Sequence, residues 1–550
     1  MAMTSSALII DGYVDEPACL GVAPYISPYI REVAGVLIEH GYAPRYVTID
    51  QVRADPSLAA APGREDLVVM IAGLTVPGAY IGGKPATLTE VQQIGILLRE
   101  PTTAIGGPIA FGYASGGGKK AIRQAIAGFD VTLSGSPAVA LGAWLSGGEP
   151  AGAGDYSLTD PWCVAGAGII GEHPAFPYVM CELETATGCS RATVGGCSFC
   201  TEPFYGLPRY RSIEGIAEEV AALHAAGARH FRLGRQPDLL AYKSSGGGEF
   251  PVPRPEVLEE LFSAVRASAP DLKTLHIDNI NPGTIARHED AARAALAAIV
   301  AGHTPGDTAA FGMETADPAV VAANNLKAMP DDVFRAIEIV NDVGGKRTGG
   351  VPELLPGLNF IVGLAGETAA TFDANETFLQ RVLDASLLVR RVNIRQLMPF
   401  EGTTAYDENT LGEHDSRFRT FKEWARTQFD EPMLRRVFPA GTILSGVVVE
   451  IPGKPSFGRQ MGSYPILVGI PLELPARTVL DAVVVDWGMR SVTALPCPVE
   501  VNTLPVAALR WIPGVGKKRA ATIAARRPFG SLAEFRKVVG ETGIEGVMRF

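Results

Sequence analysis

The chain has 550 residues, 47% of them hydrophobic and 19% charged, enough core for three or four domains and too much chain for one. No apolar run approaches the ~20 residues of a membrane span, and the N-terminus carries no export-signal pattern. Seven cysteines, three of them in one loop, do not form a secreted disulfide framework, so a reducing cytoplasm is expected. The net charge of −11 is unevenly placed: residues 501–550 hold nine Lys and Arg against three Asp and Glu, or +6, leaving −17 for the rest. A basic tail on an acidic body points to a local polyanion-binding module, unless it is only a solvated helix face.

From the N-terminus, apolar strands are expected over 7–12, 46–49, 66–74 and 129–133, with helices over 27–40 and 88–98. This alternation predicts an open parallel α/β sheet. Its working edge lies beyond the strand carboxyl ends, in the loops 12–25, 73–83 and 106–118. A Gly/Pro-rich linker is expected over 147–174.

Next comes a strand over 178–185 that ends where Cys189, Cys197 and Cys200 begin. Three thiolates in one loop make a metal site. An iron–sulfur cluster held by three cysteines keeps one iron without a protein ligand, open to a small molecule. A closed zinc shell needs a fourth ligand, and Cys181 is available, so structural zinc stays open. Phe199, between the last two cysteines, suits a cluster shielded from water.

Further strands are expected over 229–234, 274–280, 308–314, 358–364 and 390–398, with helices between them; the clearest helix is 212–227, with Ser212 as N-cap. Six such β/α units predict a partial (β/α)6 TIM-like barrel with its chemistry at the strand carboxyl ends. Asn279 and Asn281 at the third strand end are substrate groups or turn caps. Arg395 on the sixth strand reaches an anion or pairs with a rim carboxylate. After a helical stretch over 416–429, strands over 442–451, 464–470 and 481–492 predict a small β-barrel. Ile512-Pro513-Gly514-Val515-Gly516 forces a tight turn whose amides, with the following helix dipole, suit a phosphate. Lys517, Lys518 and Arg519 add charge beside it, and such contacts read backbone rather than base sequence.

These motifs resemble the radical S-adenosylmethionine (radical SAM) superfamily, more narrowly an archaeal-type group with a C-terminal helix-hairpin-helix. The family loop is Cys-x3-Cys-x2-Cys; here seven residues separate Cys189 from Cys197, with Thr193-Val194-Gly195-Gly196 flexible enough to loop out. The resemblance implies a [4Fe–4S] cluster on Cys189, Cys197 and Cys200, and S-adenosylmethionine on its open iron. Residues 232–242 are similar to the second strand end of tRNA methylthiotransferases, which makes Arg235 and Gln236 contacts for the SAM amino group. Phe311 to Thr315 resembles the family's Gly-x-Glu-Ser element, which sets Glu314 toward the SAM ammonium or ribose. Phe360 to Thr368 resembles Ile-Val-Gly-x-Pro-Gly-Glu-Thr, with Ala365 in place of proline and Gly363 and Gly366 beside adenine.

The implied domains are a cobalamin-binding-like α/β domain at 1–165, the radical SAM partial barrel at 175–428, a TRAM-like small β-barrel at 430–502 and the helix-hairpin-helix at 503–550. The Asp-x-His-x2-Gly cobalamin signature is absent, so base-off binding would lack that histidine. With only Cys19 and Cys163 in the first domain, a second cluster is not expected. The implied activity is cleavage of SAM to a 5′-deoxyadenosyl radical that modifies a nucleic acid, RNA before DNA, with electrons from a ferredoxin or flavodoxin. Two alternatives stand beside it: a cobalamin-dependent radical methylase of a small molecule or peptide, and a non-catalytic zinc-containing nucleic-acid-binding protein.

Overall fold

A computed structural model describes residues 5–14, 24–60, 65–73, 83–98 and 100–550. The chain opens with β1 (Ser5–Asp11), α1 (Pro28–Glu39), β2 (Tyr42–Thr48), β3 (Leu67–Ile71), α2 (Leu88–Leu97), β4 (Thr102–Gly106) and the short β5 (Val131–Thr132). All five strands are parallel, in the order β2-β1-β3-β4-β5. Successive residues of a strand face opposite sides, and both sides of this sheet are covered. Ala7 and Ile9 join the core beneath α1, whereas Leu8 and Ile10 pack with Val91 and Ile94 of α2. The strand order reverses between β1 and β3, so the crevice for a ligand lies at their carboxyl ends. The expected working-edge segments 15–23 and 74–82, with Cys19, lie outside the described residues.

The stretch expected as a linker over 147–174 is instead packed structure. After α3 (Pro137–Leu145) it forms α4 (Tyr156–Ala165) and a 3-10 turn, Ala167–Glu172. Trp162 and Cys163 are buried, and Gly166 marks close packing rather than slack. A Cβ on Gly35 of α1 would collide with the Trp162 backbone, and one on Gly166 with the Arg31 carbonyl.

A second set of parallel strands follows: β6 (Met180–Glu184), β7 (His230–Gly234), β8 (Thr274–Ile277), β9 (Asp307–Glu314), β10 (Leu354–Val362) and β11 (Arg391–Gln396). Helices α5 (Ile213–Ala225), α6 (Pro255–Ser268), α7 (Glu289–Gly302), α8 (Pro330–Gly344) and α9 (Ala369–Asp384) connect them. Helix α5 begins as its sequence implies, Ser212 Oγ accepting the Gly215 amide at 2.9 Å. Strands β6, β7 and β8 form one sheet and β9, β10 and β11 another; a single parallel bridge, Asn279 to Ala310, joins them into an arc. Tyr25–Ile26 pairs with the outer edge of β6 and ties the first sheet's chain to the arc.

Beyond the arc, β12 (Ile443–Ile451), β13 (Ser456–Arg459), β14 (Leu467–Ile470), β15 (Val479–Trp487) and β16 (Ser491–Pro496) close into a barrel. Of the three strands expected here, the one over 481–492 proves to join parts of two, and β13 was hidden by its shortness. The helix expected over 416–429 runs on through a π-turn, Ala425–Asp430, into Glu431–Val437. At the C-terminus, α10 (Lys517–Arg526) and α11 (Leu532–Val539) pack through Ala520, Ile523 and Phe535 onto Val483 and Leu495 of the closed barrel. No helix among the described residues is long and apolar enough to cross a membrane.

Candidate functional site

The cysteine loop leaves β6 and is pinched at its neck, where Ala186–Thr187 pairs antiparallel with Arg209–Tyr210. The added residues between the first two cysteines make a 3-10 turn, Ser190–Val194, then reverse through Gly195 (φ 84°) and Gly196 (φ 73°). Only glycine adopts two such dihedrals in succession without strain. The turn buries Arg191. Its Nη1 donates to Cys197 Sγ at 3.1 Å, its Nε to Glu249 Oε1 at 2.8 Å and its Nη2 to Asn325 Oδ1 at 3.3 Å. Asn325 Nδ2 donates to the carbonyls of Val194 and Gly196, and the Ser198 amide donates to the Asn324 carbonyl. The loop is thereby fastened to the segment after β9. Cys197 and Phe199 complete an apolar patch with Val320, Leu326, Leu364 and Leu397, at the carboxyl ends of β9 to β11.

Burial pushes the Cys189 thiol up to about 11 and the other two upward as well; the Cys197 charge acts on Cys189, and both of these act on Cys200. Cys181 stands apart. It is fully buried within β6, and the charges acting on it are those of Arg31 and Glu219, not of the loop thiols. Among the described residues no three His, Cys, Asp or Glu converge on one ion, as a zinc shell requires. Thiolates that each take a separate iron have no need to converge. The donor set of one loop, soft, half-buried and three in number, fits a cluster with one open iron.

Facing this loop, Glu314 ends β9 with φ 65°, a left-handed conformation costly for a glutamate. Its carboxyl is buried and pushed up to about 7, with Lys327 and Arg395 pulling it down. Glu314 Oε1 and Lys327 Nζ crowd the space above Gly312, where any Cβ would strike both. The Lys327 charge also acts on Cys189, Cys197 and Asp238. A carboxylate and two cations thus stand around the strand ends beside the cysteines, as an amino acid's ammonium and carboxylate would require.

The radical SAM superfamily model matches residues 183–379. These residues form a radical SAM superfamily domain. Such a domain makes the chain an enzyme, with a [4Fe–4S] cluster and S-adenosylmethionine as its cofactors. An uncharacterized protein of Archaeoglobus fulgidus is 40% identical over 98% of both chains. The uncharacterized protein MJ0274 of Methanocaldococcus jannaschii is 42% identical over 89% of this chain and 93% of its own. Among solved structures, the radical SAM methyltransferase TsrM of Kitasatospora setae, with tryptophan and a SAM analogue bound, superposes with a TM-score of 0.52. Identity is 15%, over 73% of this chain and 75% of that one, so the likeness is one of fold.

Within this radical SAM fold the other expected contacts are placed as follows. Arg235 (φ 54°) turns from the cluster loop toward the first sheet: its Nε donates to Glu184 Oε2 at 2.9 Å and its guanidinium lies 4.6 Å from the Tyr29 ring. Gln236 is buried, with Thr185 Oγ1 3.2 Å from its Oε1. Gly363 (φ 109°) donates its amide to Glu367 Oε2 at 2.8 Å, and Leu397 and Leu411 fill the space its missing side chain leaves. Gly366 (φ 82°) is more open, with only Ala323 near. Asn281 caps a short helix by accepting the Gly283 amide, and the Asn279 amide donates to the Gln236 carbonyl at 3.3 Å. Lys327, Arg191 and Asn325 escaped the sequence reading. Asn324-Asn325 ahead of a lone lysine was a trace of the left-handed turn at Asn325 (φ 47°), but not of what it would face.

In the C-terminal turn, Gly514 has φ 76° and Gly516 begins α10 without a side-chain cap. Lys517 and Lys518 are exposed; Arg519, also exposed, donates from Nη1 to the Gly514 carbonyl at 2.7 Å and so braces the turn.

Proposed function

We propose that the chain is a cobalamin-dependent radical SAM enzyme whose reaction takes place between the first sheet and the arc. One observation carries this reading: the carboxyl edge of the first sheet is docked onto the carboxyl edge of the second. In the loop after β4, Gly118 donates its amide to the Leu397 carbonyl at 2.8 Å and Ala121 to that of Pro399 at 2.9 Å. Phe111 of the same loop meets the Tyr205 ring edge to face and lies tilted against Phe204, both of which follow Cys200. Ligands of the two sheets would therefore face each other. The crevice at the β1/β3 reversal is where a corrin would lie, with Asp11, Gly12 and Tyr13 at its floor. TsrM, the fold neighbour, is also known with cobalamin and a [4Fe–4S] cluster bound.

When bound to Cys189, Cys197 and Cys200, the cluster supplies the electron that cleaves S-adenosylmethionine, itself drawn from a reductant such as ferredoxin or flavodoxin. The chain's own part is positional. Lys327 and Arg395 would face the carboxylate of S-adenosylmethionine, Glu314 would accept from its ammonium, and Gly366 would leave room for its adenine. The apolar patch around Phe199 excludes water from the reacting atoms.

A nucleic acid is the second reading of the substrate. Lys517 and Lys518 stand exposed at the amino end of α10, on a Pro-Gly turn of the helix-hairpin-helix kind, in the +6 tail. The closed barrel is TRAM-like in its position after the arc. The test is anaerobic reconstitution with iron, sulfide and cobalamin, followed by dithionite and S-adenosylmethionine. Corrin absorbance retained through desalting, with 5′-deoxyadenosine or S-adenosylhomocysteine formed, is the expected result. Iron and S-adenosylmethionine cleavage without retained corrin would remove cobalamin and leave the radical enzyme.

A further inference from the structure

Beside the neck of the cysteine loop, α1 of the first sheet meets the carboxyl end of β6 in a group of polar side chains. Glu184 ends β6, and both oxygens of its carboxylate are engaged. Oε1 accepts from the Tyr156 hydroxyl at 2.9 Å and the Thr187 hydroxyl at 3.0 Å, and Oε2 from Arg235 Nε at 2.9 Å. The Arg235 guanidinium in turn lies 4.6 Å from the ring of Tyr29 on α1. One turn further along α1, on the same side of the helix, stands Glu32.

Glu32 is the member left over. It is 7% exposed, and among the described residues its carboxyl makes no hydrogen bond and no ion pair. Neither is it sealed in: its oxygens keep a narrow contact with solvent, unlike the closed-off Oδ2 of Asp278. The charges that reach it are those of Glu184 on β6, Arg235 beyond β7, Glu219 on α5 and Arg211 ahead of α5; its own charge falls on Cys163 of α4. Glu219 and Arg211 are already matched with Arg31 and Asp160. Segments 15–23 and 74–82 hold no Lys, Arg or His that could answer Glu32 either. Burial first, then the like charge of Glu184, pushes its carboxyl up to about 8. A carboxylate so placed either keeps its proton or takes a cation from outside.

We propose that Glu32 receives an ammonium group of the substrate, in the crevice between α1, the end of β6 and the neck of the cysteine loop. A metal ion does not suit the place, since among the described residues no three His, Cys, Asp or Glu converge on one ion. An ammonium is compact, and one carboxylate gives it a charge-assisted hydrogen bond. Glu184 adds to that attraction and repels any anionic group from the same place. The substrate is therefore a primary amine, such as an amino acid or a lysine side chain. Thr187 stands two residues ahead of Cys189, so an amine held here lies beside the cluster loop. That the amine belongs to the substrate rests on the reaction lying between the two sheets; the binding site itself does not.

The test is calorimetric titration of the full-length, cluster-reconstituted protein with butylamine, and with butan-1-ol as its uncharged counterpart, in the wild type and in Glu32→Gln. Glutamine matches the protonated carboxyl in shape, so the variant keeps the fold. Butylamine binding in the wild type, about tenfold or more weaker in Glu32→Gln, is expected, since a charge-assisted hydrogen bond is worth that much. Below its pKa the carboxyl must release its proton before the ammonium binds. Affinity should therefore rise roughly fifty-fold from pH 6 to pH 8 and then level off, with no such rise in the variant. S-adenosylmethionine, titrated in parallel, should bind both proteins alike; its loss in Glu32→Gln would give the carboxylate to the cofactor and overturn the assignment. Absence of butylamine binding at millimolar concentration, equal binding by Glu32→Gln, or butan-1-ol binding as tightly would overturn the site. None of these titrations needs cobalamin or turnover, so their failure is distinct from failure of the proposed reaction.

Discussion

Arg191 reaches the Cys197 sulfur only because a 3-10 turn lies between the first and second cysteines. Hydrogen bonds to ligand sulfurs set cluster potentials, and a cationic donor favours the reduced, more negative state. In Arg191→Gln the reduction potential should fall, on the order of 60 mV if about 1.4 kcal/mol of the bond is felt differentially. An EPR-monitored redox titration reads this, and an unchanged potential would mean the guanidinium only braces the loop. Iron content separates the cysteines: Cys197→Ala should lose the cluster, whereas Cys181→Ala should keep it and lose only core packing. Cys181 retained as a ligand would instead cost iron. These residues also mark what the sequence could tell. The three cysteines and Glu314 were legible because their chemistry and spacing are unusual. Arg191 and Lys327 were not, because what each faces depends on turns at Asn325, Gly195 and Gly196 that bring distant segments together.

At the scale of elements, α1, α4 and α5 meet through charge. Glu219 of α5 is fully buried between Arg31 and Arg211; Arg31 Nε donates to it at 2.7 Å, and Arg211 also donates to Asp160 at 2.6 Å. Removing one member strands buried cations, so Glu219→Gln should cost roughly 3–5 kcal/mol in denaturant unfolding. A loss below about 1 kcal/mol would show that water relieves the pair. Asp278, just beyond β8, accepts from the Tyr464 hydroxyl of the closed barrel at 2.9 Å. Burial raises it from 3.8 to about 6, with Arg232 and Tyr464 opposing. The folded state therefore holds its proton more tightly than the unfolded chain. Its contribution is complete below about pH 4 and is lost as pH rises through 6, about 3 kcal/mol in all. Asp278→Asn should flatten that decline in thermal unfolding scans between pH 4 and 7, and an unaltered slope would assign it to Asp307 or Glu314, both raised to about 7.

Taken as a whole, the molecule was legible in its strands and less so in its joins. Apolar runs and Ser212 gave the elements their positions, since burial on both faces leaves a local signature. The stretch 147–174 misled because glycine and proline signal a loose connection and a tight contact alike. One apolar core runs from Ala7 of β1 to Ala494 of β16. A fragment ending at residue 175 should therefore expose the α4 face that α5 covers and bind a hydrophobic dye, rather than fold cooperatively. A sharp, two-state melt of that fragment would contradict this.

The seam at Gly35 and Gly166 carries a further meaning. Two helices that touch main chain to main chain have no side chains to slide over, and Arg31 of α1 and Asp160 of α4 are tied to Glu219 and Arg211 at α5, so the first sheet and the arc cannot swing apart as two jaws. Whatever enters the space between their carboxyl edges has to come in along the rim, past loops, as through a side door. Selectivity for the substrate then belongs to those loops, and the frame behind them keeps its spacing throughout turnover.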